Sequence, residues 1–167
     1  MIRRATVDDA AAIASIQARG WRHAFADIVE PDRMPDPEEQ APRFAELIAG
    51  GGRVYVFDQD GRLAGFALVQ GDELRAIYVD PPAQGAGVGS ALLDAAVEAL
   101  RANGHAEAFL WTFEANGLAR AFYERHGWEA DGGRREGLAP EVRYRKRLPP
   151  SALAPGAQPP RGETPRA

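Results

Sequence analysis

Apolar residues recur at two periods along this chain, and the switches between them mark out its elements. Ile2 to Ala5 is a short apolar–polar run that predicts an opening strand. Thr6-Val7-Asp8-Asp9 then has the composition of a helix start. Thr6 can cap free backbone donors, and acids in the first turn sit well against the helix dipole. Ala10, Ile13, Ala14, Ile16, Gln17 and Trp21 follow at i, i+3, i+4 spacing, which predicts an amphipathic helix to about Arg22. Pro31, Pro35 and Pro37 make residues 27–37 a loop, and Glu38 to Ala49 reads as a second helix ended by Gly50-Gly51-Gly52.

The period then shortens. Val54 to Phe57 and Leu63 to Val69 are strand-like and flank Asp58-Gln59-Asp60-Gly61, which has hairpin-turn chemistry. After Gly71-Asp72, Leu74 to Val79 forms the third strand of a meander, stopped by Asp80-Pro81-Pro82. Gly87 to Arg101 returns to the helical period and closes at Asn103-Gly104. Ala108 to Thr112 predicts a strand, Asn116 to His126 a helix with Gly127 as its C-terminal glycine, and Trp128 to Ala130 and Val142 to Arg147 two short closing strands. This order predicts one α/β domain over residues 1–148 with a mixed, largely antiparallel sheet. From 149 to 167 Pro and Gly dominate, and too few apolar side chains remain to offset ordering entropy; this tail is expected to be disordered.

Composition narrows the function classes. Net charge is −4, and Arg161, Arg166 and Glu163 give the tail +1, so the body carries −5. Nucleic-acid binding calls for a basic face, and none is evident. With no cysteine, disulfides, thiolate metal sites and a cysteine nucleophile are excluded. No His/Asp/Glu cluster has metal-ligand spacing, and no apolar run is long enough for a membrane span. The expected location is cytoplasmic.

The informative segment is Gln84-Gly85-Ala86-Gly87-Val88-Gly89-Ser90, between a strand and a helix. Alternating glycines let backbone N–H groups approach a ligand without interference from Cβ. The following helix aims its free N–H groups and dipole at the same place, so the combination suits a pyrophosphate. A Walker loop would need a Lys that is missing here. A Rossmann loop would need G-x-G-x-x-G in a parallel sheet, whereas this spacing is G-x-G-x-G after an antiparallel meander.

Gln84, Gly87 and Gly89 instead match the Gln/Arg-x-x-Gly-x-Gly/Ala signature of the coenzyme A loop in the GNAT (Gcn5-related N-acetyltransferase) superfamily, and the chain resembles its bacterial members from residue 2 to 148. Ile2 to Ala10 resembles the family's first strand and helix start, Leu74 to Pro81 its central strand, and Asn116 to Trp128 its late helix and following strand. The resemblance implies a GNAT fold: six to seven strands, about four helices, and central strands that splay to admit the acetyl-pantetheine arm. It implies an acetyl-CoA-dependent N-acetyltransferase with no metal, acting on a primary amine by direct attack in a ternary complex. Carried over residue by residue, the backbone of Ile77, Tyr78 and Val79 would pair with the pantetheine amides, with the Val79 N–H on the thioester oxygen. The N–H groups from Gln84 through Gly85, Ala86, Gly87 and Val88 to Gly89, with Ser90 beside them, would hold the pyrophosphate. Asn116 would contact the cofactor or fix the late helix.

N-acetylation needs a deprotonated amine, a stabilised oxyanion and a protonated leaving thiolate. Tyr123 occupies the family's acid position, and a phenol with a pKa near 10 is protonated at neutral pH. Glu73 occupies the base position of histone-type members, with Asp72 in reserve on the opposite face of a regular strand. Trp21, Arg22, Phe25 and Asp27 lie where the family builds its acceptor wall, with His23 and Glu114 as further candidates. Trp111 is expected to be buried beside the cofactor cleft, and His105 and His126 to be structural or solvated. A small-molecule amine is the expected acceptor, with no nucleic acid or membrane partner and a homodimer as the usual assembly of relatives. A protein N-terminal or lysine acetyltransferase, or a non-catalytic acyl-CoA-binding module, are the other readings this resemblance admits.

Overall fold

The computed structural model describes residues 1–150, so the Pro-rich tail lies outside the described residues apart from Pro149 and Pro150. The elements run β1 (Ile2–Arg4), α1 (Ala10–Ala24), α2 (Pro37–Ala49), β2 (Arg53–Gln59), β3 (Arg62–Gln70), β4 (Glu73–Val79), α3 (Val88–Ala102), β5 (Glu107–Phe113), α4 (Gly117–Arg125), β6 (Glu129–Glu136) and β7 (Pro140–Arg147). They build a seven-stranded sheet in the order β1-β2-β3-β4-β5-β7-β6. Every strand contact is antiparallel except β4 with β5. This is the mixed, mostly antiparallel sheet with four flanking α-helices that the residue pattern predicts. Among the described residues, no helix is long and apolar enough to cross a membrane.

Local chemistry accounts for the joints. Thr6 N–H donates to Asp9 Oδ2 at 2.7 Å, closing a single 3-10 turn before α1 begins. Asp60 and Gly61, with φ of 53° and 88°, form the two-residue turn between β2 and β3, the twist that antiparallel strands need. Asp36 Oδ1 accepts from Glu38 N–H at 2.8 Å and caps α2, where Pro37 starts the helix without wasting a donor.

Several elements depart from the expectation. α1 runs two residues past Arg22, to Ala24. The loop at 27–37 contains a 3-10 turn, Pro31–Arg33. β6 extends to Glu136 instead of stopping at Ala130, because Asp131-Gly132-Gly133 is absorbed as an irregularity between Ala130 and Arg134 and the pairing with β7 then resumes. Gly132 adopts φ 83° there, so a segment that reads as a turn continues an edge strand.

The two faces of the sheet carry separate cores. Ile13, Ala14 and Ile16 of α1 and Phe44 of α2 bury against Val54, Val56 and Phe66. On the other face Val88, Leu92, Leu93, Ala96 and Leu100 of α3 pack with Ala67, Val69, Leu74, Leu110, Tyr123, Trp128 and Tyr144.

β4 carries a bulge. Leu68 pairs with Ala76 and Val69 with Leu74, which leaves Arg75 as an extra residue. Such a bulge bends a strand and increases its twist. Beyond it, β4 parts from its parallel neighbour. Their only register pair is Glu73 with Phe109, fixed by Phe109 N–H donating to Asp72 C=O at 3.1 Å.

Gly65 lets β3, β4 and α3 meet, because a Cβ there would lie 2.7 Å from the Tyr78 carbonyl oxygen and 2.9 Å from Leu92 Cδ1. Gly65→Ala is therefore expected to lower stability by about 1–3 kcal/mol, read as a reduced midpoint in thermal or denaturant unfolding.

Candidate functional site

Beyond the bridge at Glu73, the parallel pair opens into a gap. Asp80 N–H donates to Ala64 C=O at 2.8 Å, and Tyr78 pairs with Phe66. Antiparallel alternation then turns the backbone groups of Tyr78 toward β3 and those of Ile77 and Val79 toward the gap. Val79 C=O accepts there from Gln84 Nε2 at 3.4 Å. Of the three residues expected to offer backbone groups, Ile77 and Val79 do so, whereas Tyr78 projects only its side chain toward the site.

At the open end of the gap, Pro81–Ala83 forms a short turn and the glycine loop leads into α3. Gly85 and Gly87 have φ of 81° and 80°, and a Cβ on either would meet open space. Their requirement is conformational: the chain turns left-handed at both positions. Among the described residues, none of the N–H groups of Gly85, Ala86, Gly87, Val88, Gly89 and Ser90 has a hydrogen-bond acceptor within the protein. Gln84 N–H is the exception in the predicted set, donating to Pro81 C=O at 3.3 Å. Unpaired donors at a helix N-terminus, in an exposed loop, fit a polyanionic group.

Asp80 anchors this loop to α1. It is 3% exposed, and its two carboxylate oxygens accept from Arg19 Nε at 2.8 Å and Nη2 at 3.1 Å. A buried carboxylate needs such a partner. The bond ties the helix on one side of the gap to the residue that precedes the Pro81–Ala83 turn and the glycine loop.

Tyr123 projects from α4 into the core face of the gap. It is 8% exposed and packs beside Phe122, Trp128 and Tyr144. Burial pushes its phenol well above the ordinary value, with a smaller contribution from Tyr78. Asn116 Oδ1 accepts from Ala119 N–H at 3.2 Å, so Asn116 caps α4 and leaves its amide nitrogen free. Arg120 fastens the same helix by donating to Tyr144 Oη at 3.1 Å and Glu114 C=O at 3.0 Å.

Glu73 is half-buried at the closed end of the gap, opposite Gln70. The neighbouring Leu74 faces the α3 core, so alternation places Glu73 on the α1 face. The Arg75 bulge restores that face to Ala76 and Tyr78, which pack on the α1 side. Asp72 is exposed, and its carbonyl carries the bridge to β5.

On the α1 face the mouth of the gap is aromatic. Trp21, Phe25 and Phe113 meet edge-to-face at centroid distances of 5.0, 6.0 and 4.9 Å. Trp21 Nε1 donates to Tyr78 Oη at 2.8 Å. Burial pushes the Tyr78 phenol up to about 12, against the opposing effect of that bond. Of the expected wall residues only Trp21 and Phe25 turn inward; Arg22, His23 and Asp27 are exposed. Phe113 completes the wall and was not among the expected site residues, since its strand is predicted to end at Thr112. Glu114 instead pairs with Arg134 at 2.8 Å. Trp111 is partly exposed between the guanidinium groups of Arg135 and Arg143, at 4.4 and 5.6 Å, rather than buried in the cleft. β5 alternates, and Ala108 and Leu110 take its core face.

His126 is neither free nor merely a helix end. Its Nδ1 lies 2.8 Å from Phe122 C=O and its Nε2 3.0 Å from Ser90 Oγ in the first turn of α3. Its position in the last turn of a helix gives no hint of this contact, which joins residues 36 positions apart. Among the described residues no three His, Asp or Glu side chains cluster as metal ligands would.

The model of the acetyltransferase (GNAT) family matches residues 13–128. A Mycobacterium tuberculosis protein named as a probable N-acetyltransferase is 29% identical over 145 residues, covering 78% of this chain and 80% of its own length. A mycothiol acetyltransferase of Clavibacter sepedonicus is 34% identical over 146 residues, which span 84% of this chain but 44% of that protein. Among solved structures, the PaiA N-acetyltransferase of Thermoplasma acidophilum, in complex with coenzyme A, superposes with a TM-score of 0.74. That match covers 88% of this chain and 98% of the other at 18% identity, so it speaks to the fold.

The glycines of the loop are not equivalent. Gly87 needs a positive φ, whereas a Cβ on Gly89 would make ordinary 3.5 Å contacts with Phe122 and Val79. Gly87→Ala is expected to cost about 1–2 kcal/mol of stability. Gly89→Ala, inside the first turn of α3, is expected to be neutral or to gain up to about 1 kcal/mol. Unfolding curves of the two variants check the difference.

Proposed function

Since this chain belongs to the GNAT acetyltransferase family, we propose that it transfers the acetyl group of acetyl-CoA to a primary amine on a small molecule, in the cytoplasm, by direct attack in a ternary complex. The observation that carries this reading is the run of unpaired N–H groups from Gly85 to Ser90 at the open end of the β4–β5 gap. An elongated ligand with a pyrophosphate at one end and amides further along would satisfy the loop and then the groups that Ile77 and Val79 direct into the gap. Coenzyme A has that form. Resemblance to mycothiol acetyltransferase supports a small-molecule acceptor.

Each residue then has a chemical task. The Val79 N–H holds the thioester oxygen and stabilises the oxyanion as the amine nitrogen bonds to the carbonyl carbon. As the carbon–sulfur bond breaks, Tyr123 donates its phenolic hydrogen to the departing sulfur, and solvent restores the proton once the site opens. Glu73 draws the acceptor ammonium in electrostatically and accepts, through water, the proton that leaves the nitrogen. Trp21, Phe25, Phe113 and Tyr78 exclude water from the mouth and favour an acceptor with an apolar body.

A panel of small amines, amino acids and peptides, read by release of free CoA, tests the assignment. Tyr123→Phe is expected to lower kcat about 10²-fold and Glu73→Gln about tenfold, each with little change in KM for acetyl-CoA. Full activity of Tyr123→Phe across pH would remove the acid role. Burial raises the Tyr123 pKa, so no loss of turnover should trace to its ionisation up to about pH 10. Preferential turnover of peptides would point to a protein acetyltransferase. Tight acetyl-CoA binding without turnover of any amine would point to an acyl-CoA sensor.

A further inference from the structure

We infer that His126 is a proton-linked positioning residue for the phosphate cradle, acting through Ser90; this rests on reading Gln84 to Ser90 as the pyrophosphate site. A backbone carbonyl can only accept a hydrogen bond, so the 2.8 Å contact with Phe122 C=O requires His126 Nδ1 to carry a hydrogen. In the neutral imidazole Nε2 is then bare, and the Ser90 hydroxyl donates to it across 3.0 Å. That state commits the only hydrogen of Ser90 and leaves its lone pairs toward the cradle, where they repel an anion.

Protonation reverses the bond. When Nε2 takes a proton from solvent, it becomes the donor and Ser90 Oγ the acceptor. The serine hydrogen is released to point at a phosphate oxygen, beside the free N–H groups of the same helical turn. The cradle thereby gains one donor and one nearby positive charge.

The surrounding charges make the switch depend on the ligand. Lys146 of β7 donates to His126 C=O at 2.6 Å and opposes a second cation. The N-terminal end of α3 opposes it too, whereas the C-terminal end of α4 favours it. Asp94 lies one turn beyond Ser90 on α3 and is exposed, as are Arg125 and Glu124 on α4, where Glu124 is engaged by the Tyr144 hydroxyl at 2.7 Å. The Phe122 ring, at a centroid distance of 4.5 Å, covers one side of the imidazole. A bound pyrophosphate adds negative charge at Ser90 and favours the imidazolium. By reciprocal linkage, phosphate binding takes up a proton and a lower pH strengthens binding.

The probe is 3′-dephospho-CoA, whose pyrophosphate keeps its charge between about pH 5.5 and 8, a range that brackets an ordinary imidazole. NMR titration of the full chain follows the three histidine rings, with His126 assigned through His126→Asn. The expected result is a rise of about one unit in the His126 pKa on binding, and a Kd about tenfold lower at the acid end of the range. Ser90→Ala should lose most of that pH dependence, and Ser90→Thr should keep it. Acetyl-pantetheine, which has no pyrophosphate, should leave the His126 titration unmoved. A pH-independent Kd with an unshifted His126 would overturn the relay while leaving the cradle intact. Absence of 3′-dephospho-CoA binding at every pH would overturn the cradle reading itself.

Discussion

Two parallel strands that bond at one end and then separate leave backbone donors and acceptors without partners, and folded proteins seldom leave such groups unsatisfied in a dry interior. Here the two strands share one register pair, Glu73 with Phe109, at the end where Phe109 N–H donates to Asp72 C=O. The bulge at Arg75 turns the rest of β4 away. From that constraint follow the backbone groups that Ile77 and Val79 turn toward the gap and the direction in which Val79 delivers the chain to the glycine loop. The same separation requires a wall on the α1 face, which Trp21, Phe25 and Phe113 supply.

The two sides of the gap are mechanically coupled. Arg19 and Trp21 are both on α1; one holds Asp80 at the root of the glycine loop and the other holds the Tyr78 hydroxyl. A shift of α1 would therefore be felt by the glycine loop. On the opposite face α4 is fixed by the Asn116 cap and by Arg120, and His126 extends this support to Ser90. The glycine loop is thus held from both faces of the sheet, while its own N–H groups stay free.

What the sequence disclosed and what it concealed divide by range of interaction. The glycine loop was legible because Gly85 and Gly87 answer a local need, a positive φ. The meander was legible because Asp60-Gly61 and Gly71 mark its turns and short apolar runs fill the intervals between them. The extension of β6 was hidden because Asp131-Gly132-Gly133 looks like a break, and only pairing with β7 carries the strand past it. The bulge at Arg75 was hidden because it is a mismatch between two strands and belongs to neither alone. Phe113, the Arg19–Asp80 pair and the His126–Ser90 contact join distant segments, and side-chain type alone did not single them out. Trp111 was misplaced for a related reason: the pattern within β5 shows alternation, but only the sheet order shows that Arg135 and Arg143 occupy the outer face.

The most direct test follows the backbone amides during titration with acetyl-CoA. If the gap and the loop hold the cofactor as described, the resonances of Gly85 to Ser90 and of Ile77 and Val79 move together in one saturable transition, and the Tyr78 amide, turned toward β3, moves least among its neighbours. Saturable binding that leaves Gly85 to Ser90 unperturbed, or that perturbs Tyr78 as strongly as Ile77 and Val79, would contradict the account.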